Sequence, residues 1–165
     1  MESVDPYLIA LIYAGDRNDA KSQINEWLEQ DYLVLIDRYV YSNIAFQCAK
    51  LNNNKEIDKL SDWIKHLEYE YFKIPRPDIE IFLDVPSEFT KQNLSKTRKG
   101  SDRKYLQGKQ DIHEKNITFQ EQVREIYLNE VKKEDNFHKI ECYNESEKIH
   151  EPEVIKQKIL DYIDI

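Results

Sequence analysis

The sequence predicts an α/β fold, a parallel sheet with flanking helices, and three observations support this prediction. Two short apolar runs, at 33–37 and 79–85, have the length and composition of buried strands. A weaker run at 138–142 has the pattern of a third strand. Segments with helical apolar spacing separate these runs, and such alternation of strand and helix is typical of parallel α/β proteins.

The predicted helices rest on apolar residues that recur every three or four positions, which places them on one helix face. Prolines near helix starts and after helix ends set several boundaries. The predicted order is a helix at 6–29 broken near Gly15, the strand 33–37, helices at 42–51 and about 57–71, the strand 79–85, a helix at 112–133, the strand 138–142 and a terminal helix from 151.

Length and charge restrict the classes of protein to be considered. A chain of 165 residues fits one domain, which we expect to cover 1–165. Its 24 basic and 32 acidic residues give a net charge of −8, which argues against general nucleic-acid binding. No apolar run is long enough to span a bilayer, and the first residues lack a leader pattern. We therefore expect a cytoplasmic protein without membrane attachment.

The counts of glycine, cysteine and histidine exclude several kinds of site. Only three glycines occur, so no glycine-rich phosphate loop of the GxxxxGK[ST] type exists in this sequence. Two cysteines far apart in sequence indicate neither a disulfide framework nor a zinc site. The four histidines have no metal-ligand spacing.

Asp37 and Arg38 are the strongest local candidates for a phosphate or metal site, because they directly follow the apolar run 33–36. A carboxylate at a strand end can hold a magnesium ion through water, and an arginine fork can bind two phosphate oxygens at once. The alternative is a surface ion pair. Asp16 and Arg17 repeat the pair earlier in the chain, either as a second phosphate contact or as a helix-surface pair.

Aromatic and amide side chains surround these pairs. Tyr13 and Phe46 could stack on a nucleobase, or they could belong to the core. Asn43 and Gln47 could present an amide to a base edge, or they could cap a turn. The segment 96–109 is a basic island in an acidic protein, and it predicts either a lid that closes over phosphates or a solvated loop.

Four segments together resemble the thymidylate kinase family. The segment DRYVYSNIAFQ at 37–47 is similar to its DRY-x-x-S-N-x-A-[YF] motif, and YAGDR at 13–17 resembles the aromatic motif that precedes it. PRPD at 75–78 with IFLDVP at 81–86 resembles a family strand, and the basic island at 96–109 takes the place of the lid. The resemblance implies a P-loop NTPase fold of the nucleoside monophosphate kinase type.

The resemblance also implies the reaction and the residues that bind its acceptor. Family members transfer the γ-phosphoryl group of ATP to dTMP with Mg²⁺, giving dTDP. By this resemblance, Tyr13 stacks on thymine, and Arg17 and Arg38 hold the phosphate of the nucleotide. Ser42 and Asn43 face the base, with Asn43 contacting its edge.

Four further positions receive roles from the same resemblance. Phe46 lies under the deoxyribose and helps to exclude a 2′-hydroxyl group. Asp37 stands at the position tied to magnesium through water. Arg98 and Arg103 are the lid positions expected to approach the transferred phosphoryl group, and together with Asp37 they form the predicted catalytic set. A homodimer is implied by the family alone.

The sequence departs from the family pattern at its start. The first strand of the family, the P-loop, the helix after it and the second strand have no counterpart here, so the chain resembles an N-terminally truncated member. It carries an acceptor site and a lid but no ATP cradle. The alternatives are a non-catalytic nucleotide-binding module, or a subunit that needs a partner with a P-loop. A deoxynucleoside kinase relative with another acceptor is a third reading.

Overall fold

The structure is a computed structural model and describes residues 4–86, Phe89 and 117–163. The chain falls into two compact units, Met1–Asp78 and Ile79–Ile165. The expectation of one domain over 1–165 stays a prediction.

The regular elements of the first unit are all helices within its described residues. Its elements are α1 (Pro6–Glu29), α2 (Val40–Cys48), α3 (Asn54–Lys65) and a π-helix (His66–Tyr71) that continues α3. The periodicity therefore predicted every helix of this unit. It did not predict the π-helical turn, nor that α2 begins two residues before Ser42.

The ends of α1 follow from its sequence. The Asp5 side chain accepts a hydrogen bond from the backbone N–H of Tyr7 at 2.7 Å, and Pro6 occupies the first turn, where a missing N–H costs nothing. Gly15 lies inside the helix and does not interrupt it, so the predicted break is wrong. One uninterrupted helix consequently carries both Tyr13 and Arg17.

The core of the first unit forms where α1, α2 and α3 meet. Ala10 and Ala14 of α1 are fully buried, as are Val40 and Ile44 of α2, and the two helices are in contact. Small side chains allow two helix backbones to approach closely, which brings α2 side chains within hydrogen-bonding distance of the α1 backbone. Ile64 of α3 is also fully buried in this unit.

The run 33–37 is not a strand in the structure, so the prediction of a strand buried on both faces is wrong. Leu33 is 72% exposed and Leu35 is 91% exposed. An apolar run becomes a buried strand only when neighbouring strands pair with its backbone, and none does so among the described residues. The segment still delivers Asp37 and Arg38 to the start of α2.

The second unit is built on a parallel pair of strands, β1 (Glu80–Asp84) and β2 (Phe137–Glu141). Their register pairs Glu80 with Phe137 and Asp84 with Glu141. The helix α4 (Ile117–Val131) contacts both strands, and α5 (Pro152–Leu160) contacts β2. The strands predicted at 79–85 and 138–142 are thus confirmed, and the chain is α/β with a small parallel sheet.

Aromatic and polar contacts hold α4 and α5 on the strands. Phe82 of β1 stacks on Tyr127 of α4, with 4.7 Å between ring centroids and an interplanar angle of 8°. The Lys158 ammonium of α5 donates a hydrogen bond to the backbone carbonyl of Glu141 at 2.7 Å. Each contact ties a helix to a different strand.

Several predictions fall outside the described residues. These are the lid at 96–109, with Arg98 and Arg103, and the first part of the helix predicted at 112–133. Within the described ranges, no helix is both long and apolar enough to cross a membrane.

Candidate functional site

Two of the predicted acceptor residues, Arg17 and Asn43, contact a carboxylate that the sequence analysis did not select. Glu68 lies on the π-helix and is fully buried. Its two oxygens accept hydrogen bonds from Nε and Nη2 of Arg17, both at 2.5 Å. Its Oε1 also accepts from Nδ2 of Asn43 at 3.0 Å. One carboxylate therefore fixes two of the predicted substrate-binding residues, 51 and 25 positions away in the chain.

The burial of Glu68 explains why this carboxylate needs these partners. A carboxylate that is removed from water must be compensated by charge and hydrogen bonds, otherwise its desolvation is costly. Arg17, whose side chain is only 13% exposed, supplies the positive charge. The bidentate pairing leaves Nη1 of Arg17 without a hydrogen-bond partner among the described residues.

Asn43 is 4% exposed, and of its two amide atoms only the nitrogen has hydrogen-bond partners among the described residues. Its Nδ2 donates to the backbone carbonyl of Ala10 and to Glu68, each at 3.0 Å. Its Oδ1 is buried and has no hydrogen-bond partner in the described part of the chain. Buried polar atoms without a partner are uncommon in folded proteins, so this acceptor is a candidate ligand contact.

Arg38 has an unusual backbone conformation, with φ of 68°. A non-glycine residue in this region carries a strain of roughly 1–3 kcal/mol, and such residues concentrate at functional sites. Its guanidinium carbon lies 5.1 Å from the centre of the Phe46 ring, a cation–π distance. Arg38 and Asp37 are both exposed, so their charges are accessible to a ligand.

Tyr13 is 49% exposed and lies one helical turn before Arg17, on the same face of α1. Ser42 and Phe46 are half-buried on α2. The exposure of the Tyr13 side chain thus favours contact with a ligand over a position in the core.

Gln47, the alternative amide to Asn43, is buried, and its Oε1 accepts a hydrogen bond from the Lys50 ammonium at 2.5 Å. Burial lowers the pKa of Lys50. The amide oxygen of Gln47 therefore has a local partner, whereas the amide oxygen of Asn43 has none among the described residues.

The predicted metal position is a single carboxylate. In the ranges that the structure describes, no group of three or more His, Cys, Asp or Glu side chains could hold a metal ion. Asp37 alone fits Mg²⁺ only if phosphate oxygens and water supply the other ligands, which is how this ion is commonly bound beside nucleotides.

Sequence reasoning missed Glu68, although a signal was available. Leu60, Ile64 and Glu68 are spaced four residues apart, and the first two are fully buried. An acidic residue in phase with a core stripe indicates a buried charge, and a buried charge requires a partner.

A second buried carboxylate lies in the second unit. Asp84 ends β1, is fully buried, and accepts hydrogen bonds from Nε and Nη2 of Arg124 at 2.6 and 2.7 Å. The hydrogen bond to Asp84 raises the pKa of Arg124. This pair joins α4 to the carboxyl end of β1, the edge where ligands bind in parallel α/β sheets.

Comparison with known proteins supports the interpretation of these motifs. A family model described as thymidylate kinase matches residues 1–152. A probable thymidylate kinase of Pyrobaculum aerophilum is 32% identical over 127 residues, which is 76% of this chain and 55% of the relative. A probable thymidylate kinase of Methanosphaera stadtmanae is 29% identical over 157 residues, 94% of this chain and 67% of the relative.

A thymidylate kinase of Mycobacterium tuberculosis is 33% identical over 82 residues, 50% of this chain and 38% of the relative. The aligned part of the chain thus spans from about two fifths to two thirds of the length of these relatives. The family match covers the DRY segment, both strands and the helices between them. The chain therefore belongs to the thymidylate kinase family, which has the P-loop NTPase fold.

Proposed function

We propose that this chain carries the dTMP site of a thymidylate kinase, whose reaction transfers the γ-phosphoryl group of ATP to dTMP and yields dTDP. The observation that supports the proposal best is the grouping of Tyr13, Arg17 and Asn43 in one helical unit, where Glu68 joins two of them. The remaining acceptor residues, Arg38, Ser42 and Phe46, lie at the start of α2 or within it.

In this proposal each side chain binds one part of the nucleotide. The exposed ring of Tyr13 stacks on the base, and the buried amide of Asn43 contacts the base edge. Phe46 packs against the deoxyribose. Arg38 binds the phosphate, because its exposed fork can donate two parallel hydrogen bonds to phosphate oxygens. Arg17 is the second predicted phosphate ligand, and its pairing with Glu68 leaves Nη1 for this contact.

Positioning and charge stabilisation account for most of the catalysis in phosphoryl transfer. Arg98 and Arg103 of the basic island are proposed to approach the transferred group. Asp37 is proposed to hold Mg²⁺ through water, and the ion would neutralise phosphate charge when it is bound. ATP is the proposed donor, and its phosphate loop is not encoded in the printed sequence.

The second candidate is a nucleotide-binding module, or a subunit that pairs with a chain supplying the P-loop. The observation that favours it is the glycine count, which excludes the GxxxxGK[ST] motif from these 165 residues. Both candidates share the dTMP site, and they differ in whether this chain turns over ATP by itself.

The proposed assembly is a homodimer in the cytoplasm, without nucleic-acid or membrane partners. Leu8, Leu11 and Ile12 lie on one face of α1 and are each at least 44% exposed. An apolar helix face of this kind suits contact with a second copy, in agreement with the family expectation.

The dTMP site is tested by Arg38→Ala, with Arg76→Ala as the matched control. Both arginines are exposed and both lie over an aromatic ring, that of Phe46 or that of Tyr69. Loss of two charge-assisted hydrogen bonds, each about 1.5–3 kcal/mol, should weaken dTMP binding at least about 100-fold. Isothermal titration calorimetry measures the dissociation constant.

Arg76→Ala should leave that constant within about threefold of the wild-type value. Unchanged affinity in Arg38→Ala would remove Arg38 from the site. Absence of dTMP binding by the wild-type chain would refute the proposed acceptor function altogether.

A further inference from the structure

We propose that Glu68 is a specificity-determining positioning residue. It fixes the Asn43 amide with the oxygen as the free group, so the site accepts a base whose ring nitrogen carries a proton, such as thymine or uracil, and rejects cytosine. This inference rests on the proposed function, because it assumes that Asn43 contacts the base.

The orientation of the Asn43 amide follows from its neighbours. The Glu68 carboxylate and the Ala10 carbonyl both lie 3.0 Å from Nδ2, and both groups can only accept hydrogen bonds. If the amide were flipped, Oδ1 would face two acceptors and both hydrogen bonds would be lost. The surroundings therefore determine the positions of oxygen and nitrogen, which are often ambiguous in an amide.

The flip is prevented mainly by the charge on Glu68. Hydrogen bonds to ionised acceptors are roughly twice as strong as those between neutral groups. Nε and Nη2 of Arg17 donate hydrogen bonds to both oxygens of this buried carboxylate, so the positive guanidinium compensates its charge. The Arg17–Glu68 pair thus affects base recognition indirectly, because it holds the Asn43 amide in one orientation.

The unpaired Oδ1 of Asn43 defines what the ligand must supply. It is a buried acceptor that lacks a partner among the described residues, so it requires an N–H or O–H donor. The N3 atom of thymine or uracil carries a proton and can donate it. The N3 atom of cytosine has a lone pair instead, so it would place two acceptors against each other in a desolvated site.

The backbone at Glu68 gives independent support. Glu68 lies in a π-helical stretch, His66–Tyr71, that directly continues α3. Such turns are rare and are frequently found at functional sites. An ordinary core position would not require this irregularity, nor would it require a buried acid in place of an apolar residue.

The test compares dTMP and dCMP binding in the full chain and in Glu68→Gln. Glutamine is nearly isosteric with glutamate, but its amide can either donate to Oδ1 or accept from Nδ2 of Asn43, so only the Ala10 carbonyl still favours one orientation. We expect the wild-type chain to prefer dTMP. We expect Glu68→Gln to reduce the ratio of the dCMP to the dTMP dissociation constants at least about tenfold, or about 1.4 kcal/mol.

Two variants serve as controls. Glu70→Gln changes an exposed acid on the same π-helix, which pairs with Arg76, and should leave the ratio unchanged. Glu68→Asp keeps the carboxylate and should preserve the preference for dTMP better than Glu68→Gln does. If Glu68 had only a structural role, Glu68→Gln would weaken the binding of dTMP and of dCMP by the same factor. This result would overturn the inference.

The outcomes separate this inference from the proposed function. Wild-type protein that binds dTMP and dCMP equally would overturn the inference alone. Wild-type protein that binds no dTMP would overturn the proposed function, and the inference with it.

A measurement on the wild-type chain keeps the inference testable if Glu68→Gln fails to fold. In ¹⁵N-edited NMR, the Nδ2 protons of Asn43 should exchange slowly with solvent in the absence of nucleotide, because both are hydrogen-bonded. Rapid exchange would show that the amide is not fixed, and would overturn the inference.

Discussion

Replacement of Arg124 by alanine tests how much the buried ion pair stabilises the second unit. Asp84 is fully buried at the end of β1, and the two nitrogens of Arg124 that contact it lie 2.6 and 2.7 Å from its oxygens. In Arg124→Ala the carboxylate stays buried and loses both partners. Tyr143 cannot replace them, since its hydroxyl oxygen lies 3.5 Å from Oδ2, at the limit of a hydrogen bond.

The expected magnitude follows from this burial. Removal of one partner of a buried ion pair typically costs about 3–5 kcal/mol, because a charge is left without compensation. The Arg124 side chain is 35% exposed, so in the variant water can partly replace its contacts with Asp84. We therefore expect the free energy of unfolding to fall by the lower value, about 3 kcal/mol. A typical domain has a free energy of unfolding of about 5–15 kcal/mol, so this loss is a large share of it.

Urea unfolding followed by far-ultraviolet circular dichroism measures the change. Tryptophan fluorescence is unsuitable as the main signal, because Trp27 and Trp63 are the two tryptophans of the chain and both belong to the first unit. The control is Arg76→Ala, which removes an exposed ion pair with Glu70 and a cation–π contact with Tyr69, and should cost about 2 kcal/mol or less. If the two variants lost the same free energy, the reasoning on burial would be refuted.

Two further predictions concern the thiols and the turnover of ATP. Cys48 and Cys142 are both buried, and burial raises the pKa of Cys142, so its thiolate fraction at pH 8 is below that of an exposed cysteine. Both should react slowly with a thiol reagent in the native protein and rapidly in denaturant; fast native labelling of either would contradict the structure. The purified 165-residue chain should show no dTMP-dependent consumption of ATP above background, because its sequence contains no glycine-rich phosphate loop. Robust turnover in a coupled assay would disprove this expectation.

Local sequence patterns were sufficient to predict most helices and two of the three strands. The limits of α1 agree with the expected 6–29 because Pro6 and the Asp5 cap act within one turn of the helix. The strand β1 was predicted from an apolar run, and β2 from a weaker pattern at 138–142. The run 33–37 is also apolar, but its burial depends on pairing with other strands, and such pairing cannot be read from five residues.

The predicted site was partly recognisable and partly hidden. Arg38 and Asn43 were selected because they belong to a motif, and Phe46 was found beside Arg38 at a cation–π distance. Glu68 was not selected, since an acidic residue within a helical segment is usually exposed to solvent. Its partner Arg17 lies 51 positions away, and no local pattern links two residues at such a separation.

The sequence by itself determined the family, the helix and strand types of most segments, and the chemistry available at 37–47. These properties depend on spacing and residue type, which act over one or two turns of chain. Only the tertiary structure decided which charges are buried together. Arg17, Asn43 and Glu68 meet because small residues let α1 and α2 pack closely and a π-helical turn places the acid, and hydrogen bonds then fix which end of the Asn43 amide stays free.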